Sequence, residues 1–539
     1  MGAIYKIPIF NVLDDEGAGY FQVTYNIYTL VLTIATAGIP VALSRLVSTA
    51  AARGETGLVK RYFSVALPAF FLIGIITMSG MFLFADELAS LMNSSPAATG
   101  IRVLAPAVFF VCLISVYRGY AQGFENMIPT AVSQVVEVIC KTAFGIAAAL
   151  WLVNAGFGPN IVSAGAIMGV TIGLGLCIPL LILYKKKIDS GISPPAGHEE
   201  LPGSFHTFGR IMKVSIPITL SASFMSIMTV MDTGIVLSRL QTWLIDTEEV
   251  VKAAAILAAE EGLELSVALA EASEVAASSL FGIFAKPLTV YNLPPALIVP
   301  VAVSIIPAIA AALARKLKDE AGEIVRSSIK LNNLLAMPAC AGIVLLSGPI
   351  LITLFNDSRQ MASVLMSILG AASFFVCLQL ITMAILQASG YERIAMFTFP
   401  VGAVIKIILS YILAGNPEIG IIASPVGTLV CFAVISVLNL IFIKVKVKVS
   451  PDIFGIFIKP LICAVSMAVM SYFLYRLIYL LGSDIIGTGQ FAVAVYLAFT
   501  ILFAVIFYAV LVIFTRTLTK DDLALVPKGD KLAAILRVK

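Results

Sequence analysis

Glu137 and Lys141 stand four residues apart in an apolar stretch, so on a helix an acid and a base share one face, one turn apart. An ionisable group at bilayer depth costs roughly 2.5–3.5 kcal/mol on insertion scales, so each one needs a partner or a task. This pair either neutralises itself or forms a polar wall from which Lys141 can turn to an anion. Lys406 lies in a second apolar stretch with no carboxylate within a turn of it. It points to an anion or to a partner on another helix. Asp232, with Arg239 two turns on, and Lys286, just before Pro287, are further charges in apolar surroundings. Asn292 sits beside Pro294 and Pro295, where a broken helix would open backbone groups to a cavity. Arg45 and Arg118 fall near the ends of apolar stretches, where a long cationic side chain can snorkel to the membrane surface. Gln134 is either cavity lining or helix–helix glue.

The chemistry such residues can do is electrostatic capture. The candidate cations are Arg45, Arg118, Lys141, Lys286 and Lys406; Glu137 and Asp232 are their charge partners or ion-coupling groups, and Gln134 and Asn292 add polar lining. Catalysis is not expected. His198 and His206 are the only histidines, which leaves no His-based metal centre or Ser-His-Asp triad within the apolar segments. The seven cysteines are scattered singly, and there is no GxxxxGK[ST] loop for a nucleotide. No catalytic residue, metal or cofactor is therefore expected, nor a nucleic-acid partner at a net charge of +4.

Those residues need elements that hold them in lipid. Of 539 residues, 60% are hydrophobic and only 12% charged, against roughly 25% charged in an average soluble chain. A spanning helix takes roughly 20 apolar residues, and that ruler predicts about thirteen complete spans. Among them are Tyr20 to Ala50, Phe208 to Leu240 and Ala277 to Leu313. Alternate loops are basic: Arg53, Lys60 and Arg61; Lys185, Lys186 and Lys187; Arg315, Lys316 and Lys318; Arg393; Lys444, Lys446 and Lys448; and the tail with Arg516, Lys520 and Lys528. The intervening loops are neutral or acidic. The positive-inside rule puts the basic set, and the C-terminus, in the cytoplasm. The opening MGAIYKIPIF reads as the end of a further apolar helix, for an intended total of fourteen. The segment Asp246 to Glu274 is acidic and rich in Ala and Leu; it is expected to form a solvated outer loop with amphipathic helical character. Gly165, Gly169 and Gly173 form GxxxGxxxG, a close-packing face with no chemistry of its own.

The two halves echo one another. FFVCL occurs at Phe109 to Leu113 and again at Phe374 to Leu378; Gly57 and Gly322, Arg61 and Arg326, and Lys141 and Lys406 keep the same offset. An all-α polytopic membrane protein is expected, with two six-helix lobes related by a pseudo-two-fold along the membrane normal. The expected organisation is an N-terminal lobe at 1–184 and a linker at 185–213. A C-terminal lobe at 208–443 follows, with the acidic insertion 246–274, then a helix pair at 452–515 and a tail at 516–539.

Several stretches resemble a known family. GAGYFQVTYNIYTLVLTIATAGIPVALSRLVS (Gly17 to Ser48) and YRGYAQGFENMIPTAVSQVVEVICK (Tyr117 to Lys141) are similar to the stage V sporulation protein B-like flippases. So are Asp232 in MDTGIVLSRL and KPLTVYNLPPALIVPVAVSIIPAI (Lys286 to Ile309). The resemblance covers nearly the whole chain. It implies the multidrug/oligosaccharidyl-lipid/polysaccharide (MOP) exporter superfamily, in which fourteen helices form two lobes and a final pair. It also implies a non-enzymatic flippase in the bacterial cytoplasmic membrane, moving a lipid-linked saccharide, most directly the peptidoglycan precursor lipid II. Exopolysaccharide units and drug/cation antiport are the other activities of the superfamily. Membrane lipids and cell-wall synthesis enzymes are the implied partners. Among related lipid II flippases, cavity cations lie on the first, second and eighth helices; Arg45 and Lys286 match two of those positions, and Lys6 remains of the first. Lys286 keeps the charge but not the bidentate fork of an arginine.

Overall fold

The computed structural model describes residues 2–191, 201–315, 317–449, 454–484, 487–515 and 517. Most of the expected tail, part of the linker, the start of the final helix pair and Lys316 lie outside these residues. The described chain is helical throughout, with no strand among the described residues. It opens with α1 (Gly2–Phe10), α2 (Asp15–Thr36), α3 (Ile39–Ala52), α4 (Thr56–Leu83), α5 (Ala85–Leu91), α6 (Ala98–Gln122), α7 (Ile128–Asn154) and α8 (Pro159–Ser190). Next come α9 (Ser204–Leu244), α10 (Glu248–Glu261), α11 (Leu265–Tyr291), α12 (Leu293–Ala314) and α13 (Lys318–Leu345). The chain continues through α14 (Ser347–Phe355), α15 (Gln360–Ala388), α16 (Glu392–Ala414), α17 (Ala423–Phe442), α18 (Lys459–Gly482) and α19 (Gln490–Phe514).

Among the described residues, twelve segments are long and apolar enough to cross a bilayer, or thirteen when the bent run Ser204–Leu244 is counted as one span. That agrees with the thirteen complete spans expected. Two spans are longer than their apolar cores suggest. α2 and α3 run on as one 38-residue span, and α11 and α12 as one of 49 residues. In the segment 246–274 the amphipathic surface helix that the sequence allows is present, and the following residues join the next long helix rather than a loop. The first half of the segment is the surface helix α10, ended by Gly262 in the left-handed conformation at φ 68°. Its second half is the beginning of α11, because this Ala-rich stretch has high helix propensity and its apolar positions recur at helical spacing: Ala268 and Ala272 are buried while Glu271 is exposed.

The packing divides into two compact units, Met1–Ala285 with Gly415–Glu418, and Lys286–Ala414 with Ile419–Lys539. α9 packs on α2, α3 and α4 of the first unit. Small residues make that possible: a Cβ on Gly38 would stand 2.2 Å from the Ser215 carbonyl oxygen. The first part of α11 is also held there. A Cβ on Gly19 would stand 2.0 Å from the Ser278 carbonyl oxygen, and Glu274 accepts from the Ser95 amide.

Within each unit the helix pairings echo the sequence repeat. In the first, α6 packs on α4 and α8, and α7 on α8; in the second, α15 packs on α13 and α17, and α16 on α17. The core of the first unit gathers Ile39, Leu43, Phe63, Phe70, Tyr120 and Ile211. That of the second gathers Ile305, Ile309, Val325, Ile381 and Ile385.

Candidate functional site

α7 is placed by its glycine partners on α8. A Cβ on Gly169 would come within 2.4 Å of the Lys141 carbonyl oxygen, and one on Gly173 within 3.0 Å of the Glu137 carbonyl oxygen. The GxxxGxxxG face thus seats the turn of α7 that carries the charges. Glu137 is the hub. Its Oε2 accepts from Arg118 Nη2 at 3.2 Å, and its Oε1 lies 3.7 Å from Lys141 Nζ. Arg118 also donates through Nε to Ser133 Oγ at 2.9 Å, which fixes the guanidinium between α6 and α7. Lys141 is buried, 7% exposed, with its ammonium 5.3 Å from the centre of the Tyr5 ring.

α1 adds a second lysine to this cluster. Lys6 donates to Gln22 Oε1 at 2.8 Å and lies over the Tyr25 ring at 4.4 Å. Gln22 donates to Asn26 Oδ1 at 2.7 Å, and Asn26 to Thr233 Oγ1 at 3.0 Å. Tyr5 is held by its hydroxyl on the Ala166 carbonyl at 2.9 Å. The result is a carboxylate, Glu137, shared by Arg118 and Lys141, with Lys6 of α1 held separately by the Gln22 oxygen and the Tyr25 ring. Such an arrangement can receive an anion: a long cationic side chain in a dry surround interacts strongly with opposite charge, and the rings tolerate a cation on their faces.

Of the predicted site residues, the structure brings together Arg118, Glu137 and Lys141. Arg45 is exposed on α3, and Gln134 is exposed on α7. Asp232 is buried on α9, next to the Thr233 that ends the amide chain. Lys406 is buried on α16, where α17 approaches it through Gly427; a Cβ there would meet the Lys406 Cγ at 3.3 Å. Asn292 is exposed at the break between α11 and α12, and its side chain donates back to the Leu288 carbonyl at 2.7 Å. Sequence reasoning missed Gln22, Asn26 and Tyr25 as members of the cluster, although Gln22 and Asn26 at i,i+4 in an apolar run are a polar stripe.

Lys286 belongs to a different constellation. Its Nζ lies 3.2 Å from Asp357 Oδ2, and Asp357 also accepts from Arg359 Nε at 2.9 Å and from the Arg359 amide at 3.1 Å. Asp357 lies in the connection between α14 and α15. Burial pushes its carboxyl up, but Arg359 and Lys286 outweigh that and hold it down at about 2. A depressed acid contributes stability that is complete above its unfolded value of roughly 3.9 and is lost as pH falls through the folded value. Asp357→Asn is therefore expected to lower thermal stability at pH 7, by about 2–3 kcal/mol, the worth of a shift from roughly 3.9 to about 2 at about 1.4 kcal/mol per unit. The difference from wild type should hold down to about pH 4 and close toward about pH 2. Melting curves of the two proteins in detergent across that range measure it; a gap that closed between pH 8 and pH 5 would contradict the assignment. Among the described residues there is no group of three or more His, Cys, Asp or Glu placed to hold a metal.

Residues 1–313 match the polysaccharide biosynthesis protein family, and residues 268–412 match the MatE family. Three Bacillus subtilis (strain 168) proteins are similar in sequence. The uncharacterized membrane protein YabM is 25% identical, covering 100% of this chain and 93% of that one. Stage V sporulation protein B is 24% identical, covering 98% and 94%. Lipid II flippase MurJ is 24% identical, covering 76% and 73%. Among solved structures, an inward-facing multidrug resistance MATE family transporter of the MOP superfamily superposes with a TM-score of 0.64 at 15% identity, covering 83% of this chain and 95% of that one. Lipid II flippase MurJ in an inward closed conformation gives 0.63 at 15% identity, covering 94% and 97%. The chain is a multi-pass membrane protein that belongs to the polysaccharide biosynthesis protein family and has the fold of the MOP superfamily transporters.

Proposed function

We propose that this protein carries the headgroup of a lipid-linked oligosaccharide across the cytoplasmic membrane, and that its cargo is lipid II. The observation that carries this reading is the partly buried group of Arg118 and Lys141 on Glu137, with the half-buried Lys6 on Gln22 and Tyr25, in a chain of this family. A pyrophosphate-linked sugar brings two or more negative charges that must leave water. Fixed cations offset that cost, and Glu137 holds them while no cargo is bound. Lys406, at the repeat-equivalent position, is the corresponding contact of the second repeat half, 208–443. Arg45, Lys286, Gln134 and Asn292 would contact the headgroup as it enters or leaves, and Asp232 would couple an ion. The lipid tail stays in the bilayer while the headgroup crosses by alternating access. The basic loops and the C-terminus face the cytoplasm. Similarity to lipid II flippase MurJ, by sequence and by fold, supports the choice of cargo.

The test is depletion of the protein in a strain whose other flippases are removed, with lipid II measured on each leaflet. Accumulation on the inner leaflet is expected. An unchanged distribution would remove lipid II as cargo, and accumulation of a different lipid-linked sugar would name the replacement. The MatE match keeps one second reading in view, a drug/cation antiporter. Such a protein needs an acid-rich cavity for a cationic cargo. Basic groups outnumber acids in the α1–α2–α6–α7 cluster, which speaks against it.

A further inference from the structure

At the basic end of the first unit, α8 runs 32 residues, about 48 Å at 1.5 Å per residue, against a bilayer core of about 30 Å. Its last turns, from Tyr184 to Ser190, run past the apolar stretch and carry Lys185, Lys186 and Lys187, the basic run that marks a membrane surface. There they border a pocket of about 490 Å³ with the α6–α7 turn, walled by Phe124, Ile128 and Ile188 and carrying Asn126, Tyr184 and Lys187. Phe124 is fixed edge-on to Tyr120 at 5.3 Å. The polar side chains of this wall are donors. Asn126 spends its carbonyl oxygen on the Ile128 amide at 3.1 Å, which leaves its Nδ2. Asp189, the nearest carboxylate on α8, is taken by Lys185 at 2.5 Å and by the Tyr120 hydroxyl at 2.8 Å. Lys187 is exposed, and none of the lining residues is a carboxylate, although Glu125 stands exposed in the same α6–α7 turn. Beside this donor-lined pocket, Met127, Ile128 and Leu183 are 60%, 61% and 64% exposed, an apolar rim for acyl chains.

We infer that this pocket binds the phosphate headgroup of an anionic phospholipid of the leaflet on the basic side, with its acyl chains along Met127, Ile128 and Leu183. The volume falls within the range of small-ligand sites, roughly 300–1,000 Å³. A basic residue at the membrane surface adds about 1 kcal/mol toward anionic lipid, roughly a fivefold change. The site is separate from the Lys141 cluster and does not depend on what that cluster carries.

Native mass spectrometry of the full-length protein, titrated with phosphatidylglycerol, tests it. Wild type is expected to retain one tightly held phosphatidylglycerol, with phosphatidylcholine bound at least fivefold more weakly. Lys187→Gln should reduce phosphatidylglycerol retention about fivefold or more, and Lys187→Arg should keep it. Ile128→Glu, which sets a carboxylate at the rim, should reduce it as well. Lys252→Gln, on α10 and paired with Glu248, should behave as wild type. Equal retention by Lys187→Gln and wild type would overturn the site. So would full displacement by glycerol phosphate, which would make it a soluble-phosphate site. Displacement by an equimolar polyprenyl pyrophosphate would assign the pocket to the cargo lipid instead, and would equally overturn it.

Discussion

Lys141→Ala is expected to slow translocation of a lipid-linked saccharide by about 10- to 100-fold while the protein stays folded in the membrane. The reason lies in how Glu137 is shared. Its Oε2 already accepts from Arg118 at 3.2 Å, so removing Lys141 at 3.7 Å does not orphan the carboxylate. What is lost is one charged donor to the cargo, worth about 1.5–3 kcal/mol, and each 1.4 kcal/mol is a factor of ten in rate. Glu137→Ala should behave in the opposite sense. It leaves Arg118 and Lys141 without their common carboxylate, so the protein is expected to lose thermal stability before it loses cargo affinity. Reconstituted vesicles loaded with lipid II on one side, read by accessibility to an external probe, separate the two outcomes. Adding Lys406→Ala should deepen the defect of Lys141→Ala. If the double variant moved lipid II at the wild-type rate, the cationic cluster would have no part in transport.

The bilayer made most of the fold readable from composition. An apolar side chain faces lipid as readily as protein, so spans announce themselves by length alone, and Arg53, Lys185 to Lys187 and Lys444 to Lys448 mark one membrane face. The Glu137–Lys141 pair was readable because i,i+4 spacing is local. Arg118 as the second partner of Glu137 was not, since that contact joins α6 to α7 across 19 residues of sequence. Lys6 looked like a remnant of a helix; only the fold of α1 onto α7 brings it to the cluster. Asp357 sits in one of the loops read as neutral or acidic, and nothing local told that Lys286, 71 residues earlier, would be its partner. The position of α9 was hidden for the same reason. Glycine-mediated approach, Gly38 to Ser215, leaves only a weak mark in a sequence that has 39 glycines.

Gly169→Val is expected to lower the thermal stability and the amount of folded protein in the membrane, although Gly169 carries no functional group. A Cβ at this position would lie 2.4 Å from the Lys141 carbonyl oxygen, 2.5 Å from the Gly145 nitrogen and 2.7 Å from the Gly145 Cα. All three are backbone atoms of α7, so no side-chain rotation relieves the clash; the helices must part. The reverse contact is as close, since a Cβ on Gly145 would lie 2.7 Å from the Ala166 carbonyl oxygen. Parting α7 from α8 opens voids along the shared face. With no hydrophobic drive between helices in lipid, little pulls them together again. The expected cost is about 3 kcal/mol, the upper end for overpacking a close-packed contact. Gly175→Ala is the matched control. Its Cβ would meet the Phe110 ring no closer than 3.5 Å, an ordinary contact, so that variant should accumulate to wild-type levels. Membrane abundance and thermal unfolding in detergent report both. Gly169→Ala should fall between them and, by moving the Lys141 turn, should weaken lipid II translocation more than its stability loss alone explains. Wild-type abundance of Gly169→Val would mean that the α7–α8 contact does not set the position of the Glu137–Lys141 turn.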